Sequence, residues 1–248
     1  MIPKIIHYCW FGRNPLPEDA KKCIESWRKF LPDYEIIEWN EDNFDVNEIE
    51  YTRQAYETNK FAFVSDYARV KILYEQGGLY FDTDVEVIKS FDDIVSNGNF
   101  MGFEIDPSKP QSEGKIAPGL CIGVNPKNQI FKEILDYYQS LNFILPNGRY
   151  NISEAAVNIT TRTLYQQREK KWEGEILKIG DFNIYPSKYF NPLDDATGRL
   201  HITSDTYSIH WFSKSWMNES KFRRKTARLA HRLFGKKFTS SVRKLLKL

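Results

Sequence analysis

The 248-residue sequence has only three cysteines, Cys9, Cys23 and Cys121. Their number is odd and no pair has metal-ligand spacing, which argues against a disulfide scaffold or a zinc site and fits a reducing compartment. Long hydrophobic runs are missing too. The longest, such as Phe61 to Val64, fall far short of the roughly 18–20 residues that a membrane-spanning helix needs. The opening MIPKIIHYCWFG has no basic segment leading into a long apolar stretch, so it reads as a strand of the fold and not as a secretion signal. In that setting the N-x-S/T triplets at Asn151, Asn158 and Asn218 are chance matches. No internal repeat, low-complexity tract or Gly/Ser linker divides the chain. What is present is ample core material: 41% hydrophobic and 15% aromatic residues exclude a disordered, collagen-like or coiled-coil chain.

Acidic residues are absent from one region. Residues 221–248 hold eleven Lys or Arg and no Asp or Glu, so residues 1–220 carry 24 basic against 33 acidic side chains, a balance of −9. This division predicts a globular domain over 1–220 and a basic helical tail over 221–248. Apolar residues from Phe222 to Leu248 are interspersed with the cations, as in a helix lying on an anionic membrane surface; a solvated helix packed partly on the domain reads equally well. Nucleic acid is not an expected partner, because the body is acidic and no recognition motif is visible.

The order of elements predicts an α/β fold with a mainly parallel, Rossmann-like sheet flanked by helices. Ile2 to Trp10 reads as a buried strand. A helix opens at Pro15-Leu-Pro-Glu-Asp, keeps Ala20, Cys23, Ile24, Trp27 and Leu31 on one face, and ends at Pro32-Asp33. A strand over 34–39, a helix over 61–76 closed by Gly77-Gly78, and a strand over 79–81 follow. Helices are expected over 131–142 and 153–168, extended chain over 175–186, and a last strand over 206–212. Residues 103–125, with their Pro, Gly and charged residues, read as a loop opposite the ligand site, selecting an acceptor or merely connecting.

Ligands of such sheets bind beyond the carboxyl ends of the strands, here just after Phe81. There stand Asp82-Thr83-Asp84. In extended chain the two carboxylates face one side about 6.6 Å apart, a pair suited to Mg²⁺ or Mn²⁺ with positions left for substrate phosphates. Asp-x-Asp also arises by chance about once in a chain of this length, so position, not the triplet alone, carries the reading. Asp66 and Arg69 share one side of the preceding helix, either paired with each other or turned toward a ligand's hydroxyls and phosphate. Trp10 ends the first strand, as a core residue or as a platform for a base. His210 lies in a late cluster with Ser213, Lys214, Ser215 and Trp216, as a structural histidine or a further metal ligand.

Four blocks together, IPKIIHYCWFG, FAFVSDYARVKILYEQGGLYFDTDVEV, IYPSKYF and HWFSKSW, resemble the DXD-containing sugar transferases of glycosyltransferase family 32. That group includes capsular polysaccharide enzymes and yeast mannosyltransferases and is related to clostridial glucosylating toxin domains. The resemblance implies a GT-A fold and a retaining, divalent-metal-dependent transfer from a nucleotide sugar to a glycan or lipid-linked saccharide. By position it makes Asp82, Asp84 and Arg69 the catalytic group, with Asp84, Asp82 and His210 around Mn²⁺ or Mg²⁺. Trp10, Asp66, Arg69, Asp82, Ser213, Ser215 and Trp216 would bind the donor. A UDP-sugar is favoured over a GDP-sugar by the likeness of Trp10, Asp66 and Arg69 to the toxin pattern. The implied place of work is the cytoplasm, peripheral to the inner face of the membrane. Lys214 departs from the family, standing where a glycine is usual. Two other classes fit the same residues: another metal-dependent nucleotide-sugar enzyme, disfavoured by the lack of a Gly-rich, Lys-containing phosphate loop after the first strand, and a non-catalytic sugar-nucleotide or glycan-binding protein.

Overall fold

Strand β1 (Ile5–Cys9) has four of its five residues buried, and it lies between β2 (Glu35–Trp39) and β3 (Gly78–Tyr80), parallel to both. A parallel strand of this kind needs helices on both faces, and the sequence supplies them. Helix α1 (Glu18–Phe30) has acids in its first turn and bases in its last, matching the helix dipole, and buries Ala20, Cys23, Ile24 and Trp27 on one side of the sheet. Helices α2 (Glu50–Glu57) and α3 (Phe61–Gln76) cover the other side. The structure, a computed structural model, describes residues 1–107, 113–168 and 171–213.

Beyond β3 come β4 (Val85–Val87), α4 (Asp92–Ser96), β5 (Phe100–Ile105), β6 (Lys115–Ile116), β7 (Ile122–Val124) and α5 (Gln129–Gln139). Then follow α6 (Ala156–Gln166), β8 (Leu177–Ile179), β9 (Phe182–Tyr185), α7 (Ser187–Phe190), β10 (Leu193–Asp194), β11 (Arg199–Leu200) and β12 (Ser208–His210). The main sheet has the order β2-β1-β3-β7-β5-β9-β8, with β6 on β5. Strands β1, β2, β3, β5 and β9 run one way and β6, β7 and β8 the other. Alternate strand residues feed two cores: Met101, Ile122 and Ile184 pack with Val64, Tyr67 and Tyr138, while Ile6, Phe100 and Tyr185 pack with Trp27, Phe91 and Phe190.

Two expectations are corrected. Residues 103–125 are not a loop opposite the site: they include the end of β5, all of β6, and β7, which lies between β3 and β5. A run of three residues, Ile-Gly-Val, is too short for a periodic signal, and its Gly123 is required because a Cβ would stand 2.0 Å from the Phe100 ring. The last strand is shorter than 206–212 and leaves the main sheet; β12 pairs with β4 in a separate ribbon. The basic segment 221–248 and its boundary at 220 lie outside the described residues. Among the described residues no helix is long and apolar enough to cross a membrane.

Candidate active site

Helix α3 is apolar on nearly every side and leads through Gly77, at φ 68°, into β3. This passage places the chain after Tyr80 at the carboxyl edge of the sheet, where β1 also ends. The Asp82–Asp84 segment is not extended, as its spacing suggested: the Val85 amide donates to the Asp82 carbonyl at 3.0 Å, closing a turn between β3 and β4. The turn is held from outside, by the Asp82 amide donating to the Gly119 carbonyl at 3.2 Å and by the Trp27 indole donating to the Val85 carbonyl at 2.7 Å.

Asp82 faces inward on one side. Its Oδ1 accepts from Arg69 Nη1 at 2.9 Å and from the Tyr80 hydroxyl at 3.1 Å. The same guanidinium donates from Nη2 to Asp66 Oδ1 at 3.0 Å and lies 4.8 Å over the Tyr80 ring. Asp66 Oδ2 in turn accepts the Ala156 amide at 3.2 Å, so this carboxylate serves the start of α6, where Ala155 offers no capping side chain. The Arg69 side chain is 6% exposed. Burial would lower its pKa, yet Asp82 and Asp66 hold it well above the ordinary value. Burial, the larger effect at Asp66, raises that carboxyl against the pull of Arg69. The pairing and ligand-facing readings of Asp66 and Arg69 thus resolve toward pairing in this structure, with Asp82 as the third member.

Asp84 is built from the far end of the chain. Ribbon pairing sets His210 opposite Val85, and the Trp211 amide donates to the Asp84 carbonyl at 2.9 Å. His210 Nε2 lies 3.1 Å from Asp84 Oδ1, and the Ser213 amide donates to Oδ2 at 2.7 Å. Burial works against the charge on Asp84, but His210 and the Ser213 amide outweigh it and hold this carboxyl well below the usual carboxylate range. His210 is raised: burial opposes its charge and Asp84 overcomes it. Its Nδ1 is buried and has no hydrogen-bond partner among the described residues.

Asp82, Asp84 and His210 each offer a ligand atom, and these atoms lie within 4.8 Å of one another. Two carboxylate oxygens and an imidazole nitrogen at this spacing fit a divalent cation that keeps positions open for phosphate oxygens. Trp10 follows β1 at the same edge of the sheet, half-buried, with its indole donating to the Asn14 carbonyl at 2.6 Å and its body against the α1-side core. Ser213 takes part through its amide, while Lys214, Ser215 and Trp216 lie outside the described residues. Two residues of this site escaped sequence reasoning. Tyr80 had a signal, since it stands two positions before Asp82. Gly119 had none: only the fold shows that a Cβ there would stand 2.1 Å from Asp82 Oδ2.

The model of a glycosyltransferase sugar-binding region containing a DXD motif matches residues 17–101, the stretch that ends in β5 and contains the Asp82–Asp84 turn. An uncharacterized glycosyltransferase of Acanthamoeba polyphaga mimivirus is 26% identical over 224 residues, 87% of this chain and 84% of that protein. Inositol phosphoceramide mannosyltransferase 3 of Schizosaccharomyces pombe is 31% identical over 102 residues, which is 38% of this chain and 27% of that protein. Among solved structures, the PaToxG glycosyltransferase aligns with a TM-score of 0.50 at 23% identity, over 66% of this chain and 69% of that one, a likeness of fold. The sheet, with helices on both faces and the aspartates at its carboxyl edge, is the GT-A arrangement that the resemblance implied. The motif thus stands at the carboxyl edge of β3 inside the matched region, and in this stretch the chain is similar to DXD-containing glycosyltransferases.

Proposed function

We propose that the protein is a retaining, divalent-metal-dependent hexosyltransferase. It takes a nucleotide sugar, UDP-linked in preference to GDP-linked, and transfers the sugar to a glycan or lipid-linked saccharide of a surface or capsular polysaccharide. The observation that carries this reading is the convergence of Asp82, Asp84 and His210 within 4.8 Å at the carboxyl edge of the sheet. These three residues would hold Mn²⁺ or Mg²⁺, which when bound supplies positive charge to a departing diphosphate. The nitrogen in the donor set favours Mn²⁺ over Mg²⁺, the harder ion.

The protein's own residues do the rest. Arg69, closed in by Asp66, Asp82 and Tyr80, sets the orientation of both carboxylates rather than reaching out to a phosphate. Asp66, held by Arg69 and the Ala156 amide, fixes the guanidinium in place, Trp10 stacks on the base, and Ser213 with Ser215 and Trp216 closes on the diphosphate. A double displacement needs a free carboxylate at the anomeric carbon, and here Asp66 is engaged by Arg69 and Ala156 while Asp82 is engaged by Arg69 and Tyr80. Retention then follows from attack by the acceptor hydroxyl on the face the diphosphate leaves, with the hydroxyl proton passing to the departing phosphate oxygen. Residues 1–220 form the catalytic unit, and residues 221–248 hold it to the anionic inner face of the membrane, near a lipid-linked acceptor.

The test is a donor screen: purified protein with Mn²⁺, Mg²⁺ or EDTA and a panel of UDP- and GDP-sugars, followed by slow hydrolysis to the nucleoside diphosphate, with Asp84→Ala alongside. Metal-dependent hydrolysis of one donor, absent in the variant, is expected. An unchanged rate in Asp84→Ala removes the metal from the mechanism. Absence of both hydrolysis and donor-induced thermal stabilisation moves the protein to the binding class.

A further inference from the structure

Between β6 and α6 the surface opens into a groove of about 530 Å³, with Lys115 on one wall and Asn158, Arg162 and Tyr165 on the other. Its floor is a seam: the Ile116 amide donates to Thr161 Oγ1 at 2.9 Å, and the Thr161 hydroxyl donates back to the Ile116 carbonyl at 3.3 Å. Both walls lead back to the carboxylates of the active site. Helix α6 begins at Ala156, whose amide donates to Asp66, and β6 continues within three residues to Gly119, whose carbonyl accepts from Asp82. From Ala156 to Gln166 a helix advances about 15 Å, enough to lay a short saccharide along it with one end at the reacting carbon.

The lining suits a sugar. Asn158 and Gln166 are exposed amides that donate and accept, and Tyr165 offers a flat apolar edge to a pyranose ring. The lining also carries charge of mainly one sign, with Lys115, Arg162 and Arg168 against Glu113. Arg162 is paired with Glu154 at 3.0 Å, and Arg168 lies 4.8 Å over the Tyr165 ring. Among the described residues Lys115 meets only a neutral acceptor, Asn158 Oδ1 at 3.4 Å, so its charge is the one an incoming anion would engage.

We propose that this groove binds the acceptor and that the acceptor is a saccharide bearing a negative charge, a carboxylate or a phosphate. The word acceptor rests on the transferase reading above; the groove's preference for acidic saccharides does not. The experiment uses the full chain without donor and titrates three disaccharides of one skeleton, followed by NMR or calorimetry at low and high salt: cellobiose, its uronic-acid counterpart and its phosphate monoester. The charged sugars are expected to bind about tenfold tighter than the neutral one at low salt, and Lys115→Gln is expected to remove most of that preference. Lys178→Gln, at an exposed position on β8, serves as the control for general charge.

A preference for the uronate or for the phosphate alone names the acidic group; a preference for both assigns charge as the determinant. Equal binding of all three sugars, no binding of any, or a preference that survives Lys115→Gln overturns the proposal. Donor hydrolysis measured on the same preparation keeps the two readings apart. Hydrolysis without a charge preference overturns the groove assignment and leaves the transferase intact. A charge preference without hydrolysis of any donor keeps the groove as a saccharide site and removes its role as acceptor site.

Discussion

The two aspartates of the motif are separated by one residue, yet they belong to differently built halves of the site. Asp82 closes a ring of charges drawn from α3 and β3, with Arg69 between it and Asp66 and with Tyr80 beneath; every member is hydrogen-bonded inside the protein. Asp84 takes its partners from more than 120 residues downstream, and its neighbour His210 keeps a buried nitrogen without a partner among the described residues. A closed ionic ring offers a ligand only the second carboxylate oxygen of Asp82, and its loss uncovers buried charge. A half-site with unspent valence is where a ligand gains most. The difference predicts that damage to the first half appears in stability and damage to the second in turnover.

The largest effect expected is on turnover. Asp84→Ala should lower metal-dependent donor hydrolysis by about a thousandfold, roughly 4 kcal/mol of barrier, while the melting temperature stays within about 3 °C of the parent. A melting temperature that collapses with the activity would break the division between the halves. Arg69→Met should do the reverse first: two carboxylates lose the cation that compensates them, and stability measured by urea unfolding should fall by about 3 kcal/mol. Full stability with lost donor affinity would make Arg69 a donor ligand rather than a scaffold.

Acid should separate the halves as well, through the two histidines. His7 Nε2 donates to the Gly77 carbonyl at 3.0 Å and Nδ1 accepts from the Trp39 indole at 3.1 Å, so a neutral ring holds the turn that leads into β3. Burial lowers its pKa from 6.5 to about 4, with the Gly77 bond opposing. A pKa depressed in the folded state means that the contribution is complete above the unfolded value, declines as pH falls below 6.5, and is lost by about pH 4. That gap amounts to roughly 3 kcal/mol. His210, raised by Asp84, has the opposite sign. Urea midpoints between pH 7.5 and 4 should therefore fall more steeply in the parent than in His7→Gln, which keeps a donor for Gly77. Parallel slopes would assign the acid sensitivity to the carboxylates alone.

The first half was largely legible in the sequence and the second was not, for a physical reason. An apolar helix, a glycine pair, a short strand and an aspartate are local signals, and they place Asp66, Arg69 and Asp82 within one continuous stretch. The turn at Asp82–Val85 is imposed by Trp27, by Gly119 and by the β4–β12 pairing, none of which is near in sequence, so extended spacing was the natural and mistaken expectation. The late cluster left His210 open as a structural histidine or a further metal ligand, and the family resemblance favoured the ligand; a lone histidine near the end of a chain carries no sign of its partner. Strand β7, whose Gly123 is dictated by the Phe100 ring, was misread as part of a loop for the same reason.

The smallest effect probes the seam between the halves. Gly119 gives its carbonyl to the Asp82 amide, and a Cβ on it would stand 2.1 Å from Asp82 Oδ2, 3.0 Å from Cγ and 3.2 Å from Arg69 Nη1. The carboxylate is the end of a side chain and can rotate, but its other oxygen is fixed by Arg69 and Tyr80. Relief then requires loosening the ring or moving the loop that carries Gly119, an overpacking cost of about 1–2 kcal/mol in Gly119→Ala. If the ring is rigid, the loop moves, stability falls by that amount, and Mn²⁺ affinity measured by calorimetry is unchanged. If instead Asp82 swings, stability is nearly kept and Mn²⁺ binding weakens, because one of the three ligand atoms has left its place. The first outcome is expected from the closed hydrogen bonding of Asp82; the second would show that the two aspartates work as one unit and that the halves differ in origin but not in role.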